Sequence, residues 1–85
     1  MANQNIKTLK SLADETRLKI IKFLIHEERC VCEIFPHVGK TQSTVSIHLN
    51  NLERNKILSS RREGKYTYYK IADKKFIKLI ALLEK

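Results

Sequence analysis

Ile6, Leu9, Leu12 and Ala13 fall at helical spacing and predict a first short helix. Asp14 is placed to cap a second helix, because its carboxylate can accept from the N–H groups of the next turn, and Glu15 suits the positive end of that helix. Leu18, Ile21 and Ile25, flanked by Ile20 and Leu24, give this helix a wide apolar stripe, so it packs centrally and ends near His26. Cys30–Val38 predicts a third helix of two turns closed by Gly39, with Pro36 tolerable only in its first turn. Thr41 caps a fourth helix whose buried stripe is Val45, Leu49 and Leu52. Its opposite face carries Gln42, Ser43, Thr44, Ser46, Ile47, His48 and Asn51, where a merely solvated helix would favour Lys and Glu. Ile57–Arg62 and Tyr66–Ile71 then lean to strand around Glu63-Gly64-Lys65, a hairpin with basic arms and a glycine tip. Asp73 caps a last helix whose apolar residues, Phe76 to Leu83, cover more than one stripe, so that one side meets the core and the other a second molecule.

The chain has 85 residues with 2 Gly and 1 Pro, which predicts a single, mainly helical domain over residues 1–85. A domain this small buries only about 60 to 65% of its unfolded surface, so self-association is the expected remedy for marginal stability. Cys30 and Cys32 are one residue apart; a disulfide between them would close a tiny strained loop and staple nothing, which argues against a secreted disulfide scaffold. The start of the chain is polar, and the longest apolar stretch, Phe76–Leu83, is interrupted by Lys78. The expectation is a soluble cytoplasmic protein with no membrane partner.

Formal net charge is +8, of which residues 1–40 carry +2 and residues 41–85 carry +6. Arg54, Lys56, Arg61, Arg62, Lys65 and Lys70 have only Glu63 among them, which suggests phosphate as the counter-charge. The order of elements, α-α-α-α-β-β-α with a small β-hairpin, is that of a winged helix-turn-helix. A major groove admits one helix, small amide and hydroxyl side chains let that helix approach base edges, and a flanking hairpin lays arginines along the backbone. An enzyme is disfavoured, since the chain has no Gly-rich phosphate loop, no recognisable nucleophile motif and little length to enclose a pocket. A protein-interaction module using the apolar last helix is the alternative class; it leaves the polar helix and the basic hairpin without a role.

Four segments then resemble one family. Leu12-Ala13-Asp14-Glu15-Thr16-Arg17-Leu18-Lys19-Ile20-Ile21, Arg29-Cys30-Val31-Cys32-Glu33-Ile34, Thr41-Gln42-Ser43-Thr44-Val45-Ser46-Ile47-His48-Leu49 and Arg61-Arg62-Glu63-Gly64-Lys65 are similar to the ArsR/SmtB repressors of bacteria and archaea. The resemblance implies a homodimer through the first and last helices, bound to an inverted-repeat operator on double-stranded DNA and released by a metal or metalloid. It maps Gln42, Ser43, Thr44, Ser46 and His48 onto the DNA-reading helix, and Arg61, Arg62 and Lys65 onto the wing. This chain departs from the family at Ile47, where Arg is common, and at Lys40, where Leu is common before the cap. His48 also has a structural alternative, tied to the turn.

Cys30-Val31-Cys32 resembles the family's thiolate sensor at the start of the third helix, which implies As(III), Sb(III) or a soft divalent ion such as Cd(II) as inducer, with no cofactor needed for folding. Residues two apart lie about 200° round a helix and on opposite faces of a strand, so the expectation is that chelation distorts the backbone. Arg29 and a helix N-terminus would both favour thiolate. Arsenite-responsive relatives often supply a third cysteine where this chain has Phe35, which leaves His26, His37 or an oxygen to complete the shell. Oxidation of the pair, or no effector at all, are the alternative switches. The family's carboxylate and histidine zinc site on the last helix is not matched, because residues 73–85 contain no histidine.

Overall fold

The computed structural model describes residues 14–83; the first predicted helix lies outside them. α1 spans Glu15–Leu24 and begins as its sequence requires, with Asp14 in extended conformation and its Oδ1 accepting from the Arg17 N–H at 3.0 Å. That bond lowers the Asp14 carboxyl below its ordinary value, against an opposing effect of burial. The helix ends at Leu24, two residues before the expected stop, and bends lead through residues 25–27 into a two-residue strand, β1, Arg29–Cys30.

α2 spans Val31–Val38 with Cys30 as its N-cap, and closes on Gly39, whose φ of 80° is the left-handed conformation glycine reaches without a Cβ penalty. Pro36 stands as the sixth residue of this helix, so the expectation that it must lie in the first turn was wrong. The helix survives its missing N–H because Ile34 and Val38 are buried on one side, while Gly39 N–H bonds to the Phe35 and Pro36 carbonyls and closes the end. Tertiary burial outweighs a local penalty of about 3 kcal/mol.

α3 spans Gln42–Arg54, capped by Thr41 Oγ1, which accepts from the Thr44 N–H at 3.2 Å. Lys40 before the cap therefore leaves the start of the helix intact. β2, Leu58–Glu63, and β3, Tyr66–Ile71, pair antiparallel from Leu58↔Ile71 to Glu63↔Tyr66, so the hairpin turns on two residues only, Gly64 and Lys65. Gly64 has φ of 64°, as the first position of a tight hairpin turn demands. β1 adds to the other edge of β3, Arg29↔Tyr69 and Cys30↔Tyr68, giving a sheet of order β1-β3-β2. α4, Lys75–Leu83, follows Asp73, whose Oδ1 accepts from the Lys75 N–H at 2.9 Å.

One core joins these elements: Ile20, Ile21 and Leu24 of α1, Ile34 and Val38 of α2, Val45, Leu49 and Leu52 of α3, then Ile57, Leu58, Tyr69, Phe76 and Ile80. Each aliphatic side chain so buried contributes about 1.5 to 3 kcal/mol. Among the described residues no helix is long and apolar enough to cross a membrane.

Candidate functional site

Burial of Val45, Leu49 and Leu52 fixes which way α3 faces. The residues diametrically opposite are Ser43, Ile47, Asn50 and Arg54, at i, i+4, i+7 and i+11, and all four are exposed. Gln42 and Thr44 are exposed beside them, while Ser46, His48 and Asn51 are half-buried on the flanks. The polar face read from the sequence is thus a ridge with two shoulders. Asn50 and Arg54 belong to the ridge and were missed, although continuing the spacing from Ser43 and Ile47 by seven residues would have found them.

His48 lies on the shoulder toward α1. Arg17 Nε donates to His48 Nδ1 at 3.0 Å. A guanidinium only donates, so Nδ1 accepts and the ring proton of the neutral imidazole sits on Nε2. His48 is therefore tied to α1 and not to the turn. Arg17→Gln is expected to cost about 1 kcal/mol of stability, and long-range ¹H–¹⁵N spectra of the imidazole at alkaline pH are expected to pass from one tautomer to a mixture. An unchanged Nε2–H signal in the variant would show that Arg17 does not set it.

The other shoulder faces the hairpin. Gln42 and Ser46 line a cavity of about 330 Å³ together with Cys30, Cys32, Lys65 and Tyr66. The two cysteines meet there by a route the sequence argument did not consider. Cys30 ends β1 with φ −70° and ψ 146°, and Cys32 is the second residue of α2, so the pair straddles a strand-to-helix junction with its Cα atoms 5.1 Å apart and its sulfurs bonded to each other. The sulfurs meet across this junction, where the period of neither regular form sets the directions of the two side chains. Cys30 Sγ also accepts from the Cys32 N–H at 3.1 Å, and Glu33 Oε1 accepts from the Cys30 N–H at 3.0 Å. Cys30 is buried and Cys32 exposed.

Arg29 contributes less to this site than expected. Its guanidinium pairs with Glu27 at 3.3 Å and Glu33 at 3.7 Å and lies 4.5 Å from the centroid of Phe23, so its charge is already matched. His37 stacks on Phe23 at 3.8 Å between ring centroids, at the far end of α2 from the sulfurs. Among the described residues no group of three or more His, Cys, Asp or Glu side chains is arranged to hold a metal ion.

On the wing, Arg61 and Arg62 alternate to opposite faces of β2. Arg61 Nε lies 3.2 Å from both carboxylate oxygens of Glu28, Nη1 reaches Glu63 at 2.6 Å, and the guanidinium sits 4.7 Å from the Tyr68 ring centroid. These hydrogen bonds lower the Glu28 carboxyl below its ordinary value and raise the Arg61 guanidinium above its own. Arg62, Lys65 and Lys70 are exposed, and Lys65 Nζ lies 5.6 Å from the Tyr66 ring centroid.

A capped helix with an exposed polar ridge, preceded by a short helix and flanked by a basic two-residue-turn hairpin, is a winged helix-turn-helix. The chain belongs to the arsR family of bacterial regulatory proteins, whose model matches residues 14–60. It is 42% identical over 74 residues to a cadmium resistance transcriptional regulatory protein of Listeria innocua, covering 86% of this chain and 62% of that protein. It is 37% identical over 68 residues to the arsenical resistance operon repressor of Escherichia coli, covering 79% of this chain and 58% of that one. The chain thus spans less than two thirds of these relatives. A solution structure of a homodimeric winged helix-turn-helix DNA-binding domain from Mycobacterium bovis superposes with a TM-score of 0.90 at 34% identity, covering 98% of this chain and 77% of that one.

Proposed function

We propose that this chain acts as a homodimeric transcriptional repressor that binds an inverted-repeat operator and is released by a thiophilic ion at Cys30 and Cys32. The observation that carries this reading is the exposed ridge of α3 standing beside the Arg62 and Lys65 wing, with the cysteine pair opening onto the cavity between them. Two reading helices would enter successive major grooves about 34 to 36 Å apart, with Gln42, Ser43, Thr44, Ser46, His48 and Asn51 toward the bases and the wings on flanking backbone. Leu82, 69% exposed on α4, supports a dimer seam through the last helix.

Two thiolates select soft ions over hard ones, and the relatives named for cadmium and arsenical resistance support As(III), Sb(III) or Cd(II) as the class. The shared cavity gives occupancy a short route to DNA, because Cys32 and the polar shoulder of α3 border the same space. A coupling of about 1 to 3 kcal/mol corresponds to about 5 to 150-fold in operator affinity. Arsenite and Cd²⁺ added to the reduced dimer on its operator are expected to lower affinity within that range, and Cys30→Ser/Cys32→Ser is expected to abolish the response. Release that persists in the double variant would remove the cysteines from the mechanism.

A second reading is supported by the bonded sulfurs themselves: oxidation of the pair is the switch. Two thiols and one peroxide would give the disulfide and two waters. Peroxide releasing the wild-type dimer while arsenite and Cd²⁺ do not would favour it, and a response to none of the three would point to a constitutive regulator.

A further inference from the structure

The side chain of Ile47 is 67% exposed at the crest of the α3 ridge, while every other aliphatic residue of that helix, Val45, Leu49 and Leu52, is at most 1% exposed. Its neighbours along the crest are Ser43, Asn50 and Arg54, so it is a single apolar point in a polar row. Such a point is too small for a protein interface, which needs a contiguous apolar patch of several hundred Å². It also does nothing for the helix, since a β-branched residue is a poorer helix former than the Lys or Glu usual on an open face.

An isoleucine side chain has no donor and no acceptor, so it cannot read the nitrogen and oxygen pattern of a base edge. The one apolar feature of the major groove is the C5-methyl group of thymine. Being β-branched, Ile47 is already held near one χ1 rotamer in the helix and loses little freedom on contact. We infer that Ile47 is a specificity-determining residue that reads a thymine methyl group in each half-site, an inference that rests on α3 being the DNA-reading helix. The hydroxyl and amides around it would take the polar edges, and Ile47 would reject cytosine, which has no methyl there.

The test uses the duplex that the full-length dimer itself selects from a random library, with each thymine replaced in turn by uracil. That change removes only the methyl and keeps every hydrogen-bonding group. For the wild type, one position per half-site is expected to weaken binding about fourfold, and both together about fifteenfold, at fixed salt. In Ile47→Ala the same replacements are expected to have no effect, with circular dichroism confirming an unchanged fold. A selected site in which no thymine-to-uracil change weakens the wild type, or a methyl effect that persists in Ile47→Ala, overturns the inference. So does a shift in sedimentation of Ile47→Ala, which would assign the residue to a protein contact. An Asn50→Ala variant separates the two levels: if it changes base preference while Ile47 fails, α3 still reads DNA and only the thymine contact falls, whereas indifference of both variants overturns the reading helix as well.

Discussion

Raising monovalent salt from 50 to 200 mM is expected to weaken binding of the dimer to its selected duplex by about 10³ to 10⁴-fold. The size follows from counterion release: each neutralised phosphate contributes a slope of about −0.9, and Arg54, Arg62, Lys65 and Lys70 on two protomers bring about six to eight such contacts. These four cations are exposed, and a simple charge count would add Arg61 to them. Arg61 is held by Glu28 and Glu63, so releasing it to a phosphate would break contacts already made. Arg62→Ala is therefore expected to reduce the salt slope by about 2 per dimer, one contact per protomer, and Arg61→Ala by clearly less. Fluorescence anisotropy at five salt concentrations measures both. A flat dependence would refute phosphate contact altogether, and an equal loss in the two variants would show that the Arg61 ion pairs open on binding.

The contrast between Arg61 and Arg62 also marks the boundary of what was readable in the sequence. Features with a local signature came through: Asp14 and Thr41 as caps, Val45, Leu49 and Leu52 as the buried stripe of the fourth helix, and Gly64 at the hairpin tip. Each depends on residues within about a turn of one another, so spacing alone exposes it. The features that escaped join residues far apart in the chain. Arg17 meets His48 across 31 positions and Arg61 meets Glu28 across 33, and no periodicity announces either pair. β1 has two residues and exists only because β3 offers an open edge 40 positions later, at Arg29↔Tyr69. Pro36 escaped for a related reason, since its tolerance depends on the burial of Ile34 and Val38 against other elements. The cysteine pair lies on the expected segment but across a strand-to-helix junction, which obeys the period of neither regular form.

The same distinction between core and crest predicts opposite consequences for two substitutions on one helix. Leu52 is fully buried on α3, and its carbonyl accepts from the Ile57 N–H at 2.9 Å, holding the turn that leads into β2. Leu52→Ala leaves that backbone bond available but removes buried methyl groups, and is expected to cost about 2 to 5 kcal/mol through lost transfer free energy and the remaining cavity. Small domains have about 5 to 15 kcal/mol in total, so the loss is a large share of the whole, and it should deepen as protein concentration falls because dissociation of the proposed dimer would withdraw further support. Ser43→Ala sits on the exposed crest and is expected to change stability by less than about 0.5 kcal/mol. Urea unfolding followed by circular dichroism at two protein concentrations measures both. DNA binding should then separate them in the reverse sense: Leu52→Ala loses affinity only in proportion to the fraction unfolded, while Ser43→Ala weakens binding to the selected duplex with its fold intact. A Ser43→Ala protein that unfolds early, or a Leu52→Ala protein as stable as the wild type, would mean that the face of α3 assigned to the groove is the one that holds the molecule together.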